Sequence, residues 1–376
     1  MRRLGFICLL PLLVFALLGC QPQPPGHGHG HGHGHGRQHR LRLNDIQVLA
    51  SHNSYHVEPE PVLFDALRNV LGDAANGLQY THLPLSQELD RGVREIELDV
   101  FVDDPQGGRY ASPKLVPLLG LQPVDPRLSE PGLKVFHIQE VDYRSNCPTF
   151  VTCLEQVRAW SEAHPRHVPI TIQIETKDDP VADPFDLGFV QPPPWTSAGF
   201  AQLEQEIESV FPPDEIITPD DVQGRYPTLR DAVLHDHWPR LDRARGQVMF
   251  TLDDTGDERA AYRALHPEAE DRLVFVAAEP PDDDAAFVVL NDPVGDAEHI
   301  RQLVEQGFLV RTRADADTVQ ARSGDTSQRD AAWASGAHFV STDYIVPDDR
   351  FGTGYVVTLP GGGEFRCNPL RTRACT

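Results

Sequence analysis

Positive charge is scarce in this chain: 33 Lys and Arg stand against 56 Asp and Glu, a formal net charge of −23 over 376 residues. That balance excludes general nucleic-acid binding, because neutralising phosphates needs the opposite sign. It suits a soluble catalytic body and makes a cation easy to hold. A bilayer-spanning run is also missing. The apolar stretch at residues 4–18, behind Arg2 and Arg3, is too short and wrongly flanked for a stable transmembrane helix. It reads instead as a targeting segment over residues 1–19. Its end, Leu17-Leu18-Gly19-Cys20, looks like a lipobox, which predicts cleavage before Cys20 and lipidation of its thiol. The expectation is an exported lipoprotein held at a membrane surface by buried methylenes, with a plain secretory peptide as the alternative.

Cysteine is sparse as well. Apart from Cys8 and Cys20, the chain has Cys147 and Cys153 in NCPTFVTC, and Cys367 and Cys375 in CNPLRTRAC. Close spacing, even number and export favour two local disulfides, Cys147–Cys153 and Cys367–Cys375. Neither pair has the two-residue spacing of a zinc ribbon. No internal repeat is present.

What is there divides into a linker and a body. Residues 20–40 carry prolines and an alternating Gly-His tract, which cannot bury a core and predict a disordered spacer. The alternating imidazoles could capture a soft divalent ion weakly. Residues 41–376 form the body, closed at the C-terminus by the second disulfide. There, apolar runs at 46–51, 93–101, 134–137, 169–175, 247–252, 273–278, 308–313 and 338–342 alternate with helical patterns at 154–163, 200–210, 229–235, 258–265, 297–306 and 328–335. Such alternation predicts an α/β fold with a parallel sheet, a single (β/α)8 TIM-type barrel whose reactive groups sit at C-terminal strand ends. A ninth run at 287–290 competes for a place in the wall.

The segment GVREIELDV, residues 92–100, organises the rest. Its β-branched and apolar residues mark a strand, and Glu97 and Asp99, two apart, share one face. Paired carboxylates on a buried strand need a cation, a shared proton or a dense hydrogen-bond net. On the barrel hypothesis the neighbouring strand ends supply His52 and Asn53 (SHNSYH), His137 (KVFHI) and Glu175 (ITIQIETK). Asn53, Glu97, Asp99 and Glu175 are oxygen donors, the ligand set of a hard ion; Ca2+ suits an irregular, exported cage better than Mg2+.

These motifs, in this order, resemble the catalytic half of the calcium-dependent phosphatidylinositol-specific phospholipases C. GFLVRTRADADT and ASGAHFVSTDY support a closer likeness to the bacterial branch within the PLC-like phosphodiesterase superfamily, over roughly residues 44–344. The resemblance implies His52 and His137 as catalytic, and Asn53, Glu97, Asp99 and Glu175 as calcium ligands with Glu97 also accepting a proton. It implies cleavage of phosphatidylinositol-type lipids to diacylglycerol and an inositol cyclic phosphate. No separate lipid-targeting module is evident; the anchor at Cys20 would serve that role.

Further candidates for substrate binding are Lys177, whose alternative is a salt bridge, Arg311 and Arg313 for phosphate or hydroxyls, and Asp343 and Tyr344 for a sugar ring. His56, His82 and His299 read as structural. Trp195 reads as a packed loop residue, with a bilayer-interface anchor as the alternative. Two rivals remain. A glycerophosphodiester phosphodiesterase would carry His-Arg and His-Asp where this chain has His52-Asn53 and His137-Ile138. A catalytically silent barrel that binds metal or glycan is the other.

Overall fold

Val93–Phe101 (β2) is central to a curled, mostly parallel sheet in a computed structural model that describes residues 41–372. Its odd positions from Glu95 to Asp99 face the barrel interior, and Ile96, Leu98 and Val100 pack outward beneath the helices; every residue of the strand is buried. The other wall strands are Ile46–Ser51 (β1), Ile170–Thr176 (β3), Val248–Leu252 (β4), Val274–Val276 (β5), Phe287–Val289 (β6), Leu309–Arg313 (β7) and Phe339–Thr342 (β8). Parallel ladders join β1 to β2, β2 to β3, β3 to β4, β4 to β5, β6 to β7, β7 to β8 and β8 back to β1. The ring closes between β5 and β6 through a parallel bridge, Ala277 to Phe287, with Ala278 N–H donating to the Phe287 carbonyl at 3.0 Å. This is the expected (β/α)8 class, with closed edges.

One wall assignment needs correction. Residues 134–137 do not form a barrel strand: Lys134–Val135 runs antiparallel to the end of β2, pairing with Phe101 and Val100. The ninth apolar run takes the vacant place as β6. A short apolar run has no signature of strand direction, so the two were interchangeable by pattern. Lys134 marks the difference chemically: fully buried, it pairs with Asp103 at 2.9 Å and donates to the carbonyls of Glu130 and Gly132. Two further short strands, Ile216–Ile217 and Arg366–Cys367, pair with the start of β4 and with β1.

The helices close the outer layer for local reasons. Phe150–Ala163 begins at Thr149, whose hydroxyl accepts from Thr152 N–H at 3.2 Å, and buries Phe150, Leu154 and Val157. The expected Cys147–Cys153 disulfide ties its lead-in to its first turn, with Cα atoms 5.1 Å apart. Ala297–Gln306 buries Ile300, Leu303 and Val304 and stops at Gly307, whose φ of +104° suits glycine. Among the described residues, no helix is long and apolar enough to cross a membrane. The predicted leader, Cys20, the Gly-His tract and Cys375 lie outside the described residues.

Candidate active site

At the C-terminal end of β1 the backbone turns across its neighbours. His52 N–H donates to the Thr342 carbonyl of β8, and Ser54 N–H donates to the Glu97 carbonyl of β2, both at 3.0 Å. Between them Asn53 adopts φ +46°, a conformation Asn tolerates better than most residues. Its amide nitrogen donates to the Tyr80 hydroxyl at 3.2 Å, which leaves the carbonyl oxygen buried and without a partner. The His52 ring is clamped at both nitrogens. Nδ1–H donates to Asp343 at 2.7 Å, and Nε2 accepts from Arg313 at 3.1 Å. Arg has no acceptor, so this geometry is that of the neutral ring protonated on Nδ1. Burial lowers the imidazole pKa and Arg313 lowers it further, against the pull of Glu97 and Asp343. Asp343, buried, is held below the carboxylate range because Arg313 and His52 outweigh its desolvation.

Beside this dyad lie the carboxylates. On adjacent parallel strands Asp99 is the register partner of Glu175, and Glu97 that of Gln173. One oxygen each of Glu97, Glu175 and Asp253 lies within 4.8 Å of the other two. Arg311, fully buried, pairs with Glu97 and is steadied by Asn291 and by Ser341. Lys177 donates to Glu175 at 2.9 Å and sits 3.4 Å from Asp99. Both Asp99 oxygens are buried without a hydrogen-bond partner. Burial pushes the Asp99 carboxyl well above its usual range despite Lys177, whereas at Glu175 Lys177 outweighs burial and the shift is downward. Orphaned, buried oxygens on Asn53 and Asp99 next to a carboxylate triad are what a hard, oxygen-seeking cation satisfies, so these residues fit calcium.

His137 faces the same mouth from a tight loop rather than from a wall strand. Its N–H donates to the Asp142 carbonyl at 3.3 Å, and the Ile138 and Asp142 backbones bond reciprocally across Glu140, which has φ +70°. The turn sets the Asp142 carboxylate against the ring: its Oδ2 accepts from His137 Nδ1 and from His56 Nε2, each at 2.8 Å. These two imidazoles outweigh burial and hold the Asp142 carboxyl low. His56 in turn donates from Nδ1 to the Tyr80 carbonyl and stacks on the Tyr80 ring at 4.2 Å. With Nδ1 engaged, the His137 side chain stays 22 % exposed.

The secondary candidates divide. Arg313 and Lys177 lie at the mouth. Asp343 does not present a free edge to a sugar: both oxygens are engaged, one by His52 and one by Arg313. Tyr344 is likewise withdrawn, 2 % exposed and packed edge-on against Tyr355 and Phe351. Arg311 is sequestered in the barrel and cannot read a phosphate in this arrangement. Trp195 is buried against Phe200, not offered to a bilayer. His82 is a packing residue paired with Glu88, and His299 pairs with Glu279 at the surface. Residues that sequence reasoning missed are Asp253, Asp142 and Tyr80. The doublet Asp253-Asp254 closing an apolar run was a readable signal; Asp142 and Tyr80 sit in loops whose return path no local pattern reveals.

The family model for calcium-dependent phosphoinositide phospholipase C matches residues 41–369. No curated protein matches the chain. Among solved structures, the calcium-dependent phosphoinositol-specific phospholipase C of the Gram-negative bacterium Pseudomonas sp. is similar at 18 % identity and a TM-score of 0.53, covering 88 % of this chain and 96 % of that one. The calcium-dependent phosphatidylinositol-specific phospholipase C of Streptomyces antibioticus is similar at 17 % identity and a TM-score of 0.50, covering 80 % and 94 %. At such identities these structures speak for the fold, while the family model spans most of the chain. The chain belongs to the family of calcium-dependent phosphoinositide phospholipases C.

Proposed function

We propose that the enzyme cleaves phosphatidylinositol-type lipids by attack of the inositol 2-hydroxyl on its own phosphodiester. The new bond joins that oxygen to phosphorus, the bond to the glycerol oxygen breaks, and the products are diacylglycerol and an inositol cyclic phosphate. The observation that carries the reading is the pairing of two mouth-facing imidazoles, each backed by a carboxylate, across a set of carboxylates with unsatisfied oxygens. Intramolecular attack in a held geometry supplies up to about 7–11 kcal/mol in the best-oriented systems.

Asn53, Glu97, Asp99 and Glu175 would hold the calcium ion. When bound, the ion supplies charge neutralisation and lowers the pKa of a hydroxyl on it. Glu97 takes the proton from the 2-hydroxyl, with Arg311 fixing one of its oxygens. His137, its Nδ1 turned to Asp142, gives a proton from Nε2 to the departing glycerol oxygen. Arg313, paired with Asp343, faces the phosphoryl oxygens as charge builds there, and His52, held by Asp343 at Nδ1, joins it once Nε2 has exchanged its bond from Arg313 for a proton. Lys177 would meet the phosphate once released from Glu175. Lipidation at Cys20 would keep this mouth close to its substrate on an exported surface, a proposal tested by acyl labelling of wild type and Cys20→Ser.

The test is turnover of phosphatidylinositol beside glycerophosphoinositol, in calcium or EDTA, by wild type, His52→Ala and His137→Ala. Calcium-dependent cleavage of the lipid that either alanine abolishes is the expected result. Activity that survives both substitutions, or preference for glycerophosphoinositol, contradicts the assignment.

A further inference from the structure

Asp253 closes β4, one strand beyond Glu175, and belongs to no role assigned above. Its backbone N–H donates to the Ile174 carbonyl at 2.8 Å, which fixes the residue at the C-terminal mouth. Gln173 Nε2 donates to its Oδ2 at 3.0 Å. Gln173 lies on the inward face of β3, directly across from Glu97, so it holds the Asp253 carboxylate beside the cluster. A cleft of about 510 Å³ lined by Asp253, Asn291, Arg259 and Glu279 opens onto it.

Three carboxylates with oxygens inside 4.8 Å of one another are costly neighbours. Arg311 offsets part of the charge, but its partners are Glu97, Asn291 and Ser341, not Asp253. The separation itself has a meaning. Calcium binds oxygens at about 2.3–2.6 Å, so one ion can touch oxygens up to roughly twice that apart. A second observation points the same way: Asp99, 0 % exposed and on the face of β2 that carries Glu97, has no hydrogen-bond partner on either oxygen, and Lys177 at 3.4 Å from Oδ2 is the one cation paired with it. The cluster is short of positive charge with Lys177 and Arg311 already counted.

We infer that Asp253 is a further oxygen ligand of the calcium ion, held in place by Gln173, an inference that rests on reading this mouth as a calcium site. The ion would thus be gripped from three consecutive wall strands, β2, β3 and β4. Adding a charged ligand tightens a calcium site, since affinity follows ligand charge and rigidity.

The test is calorimetric titration of calcium chloride into the full-length chain at fixed ionic strength, with Asp253→Asn, Glu175→Gln and Glu279→Gln. Glu279 lies on the same cleft and pairs with His299, so its variant controls for loss of one nearby charge. Asp253→Asn should bind calcium about 10–100-fold more weakly, as Glu175→Gln should, with Glu279→Gln within about twofold of wild type. A second readout guards against misfolding. In EDTA, Asp253→Asn should melt at or above the wild-type temperature, because like-charge crowding is relieved, and calcium should raise its melting temperature less. Wild-type affinity in Asp253→Asn beside weakened Glu175→Gln overturns the ligand role of Asp253 alone. So does a variant that melts well below wild type in EDTA, or one that loses turnover at unchanged calcium affinity. Absence of calcium binding by wild type overturns the calcium site itself.

Discussion

Replacing Asp142 by Asn probes the hydrogen-bond frame behind His137 without leaving a cavity. One carboxylate oxygen accepts from both His137 and His56, and the residue is 1 % exposed. An amide oxygen can take the same two bonds but carries no charge. Charge-assisted bonds contribute about 1.5–3 kcal/mol and neutral ones about 0.5–1.5 kcal/mol, so each bond weakens by about 1–1.5 kcal/mol. Two bonds give a stability loss of about 2–3 kcal/mol at neutral pH, measurable by urea unfolding. Only the His137 bond bears on turnover, and its share corresponds to about a 5–15-fold fall in kcat. The pH dependence follows from the depressed Asp142 carboxyl. Its contribution is present above the ordinary value of 3.8 and is lost as pH falls through the lower folded value, so the wild-type advantage over Asp142→Asn should shrink in acid. The assay is paired unfolding and steady-state turnover on phosphatidylinositol vesicles. A variant that loses the stability but keeps kcat within about twofold would refute the proton-donor role of His137, leaving the pair a structural brace.

Other expectations follow from neighbouring contacts. Arg313→Met removes a group that lowers the His52 pKa, so the His52 titration followed by NMR should move to higher pH; an unchanged midpoint would mean that Arg313 does not face the ring. Lys134→Met removes the ammonium from the buried Asp103, which keeps only the backbone N–H bonds of Asp104, Gly108 and Arg109, and should destabilise by about 3–5 kcal/mol in urea unfolding, whereas a loss under about 1 kcal/mol would show that those bonds suffice to hold the carboxylate.

The candidate residues at the mouth could be picked out as a group because they sit in short motifs at strand ends. His52-Asn53 and Glu97-Leu98-Asp99 each announce a polar interruption of an apolar run, and alternation along β2 places both carboxylates on one face. The barrel class followed from the same alternation of runs. What stayed hidden depends on tertiary closure. Residues 134–137 and 287–289 are both short apolar runs, and only pairing partners distinguish a loop strand from a wall strand. Asp142 reaches His137 through a turn, and the Asp343 carboxylate serves His52 rather than a sugar because Arg313 arrives beside it from the next strand. Arg311 and Tyr344 share that lesson: facing the right end of the barrel does not decide whether a side chain is open or already engaged.

Phosphorus NMR of the products formed from phosphatidylinositol, with calcium and with EDTA, tests the central claim most directly. A resonance of the five-membered inositol cyclic phosphate that appears only with calcium is the predicted outcome. An acyclic phosphate as the first product, or cyclic product formed equally in EDTA, would contradict intramolecular attack at a calcium-bound mouth.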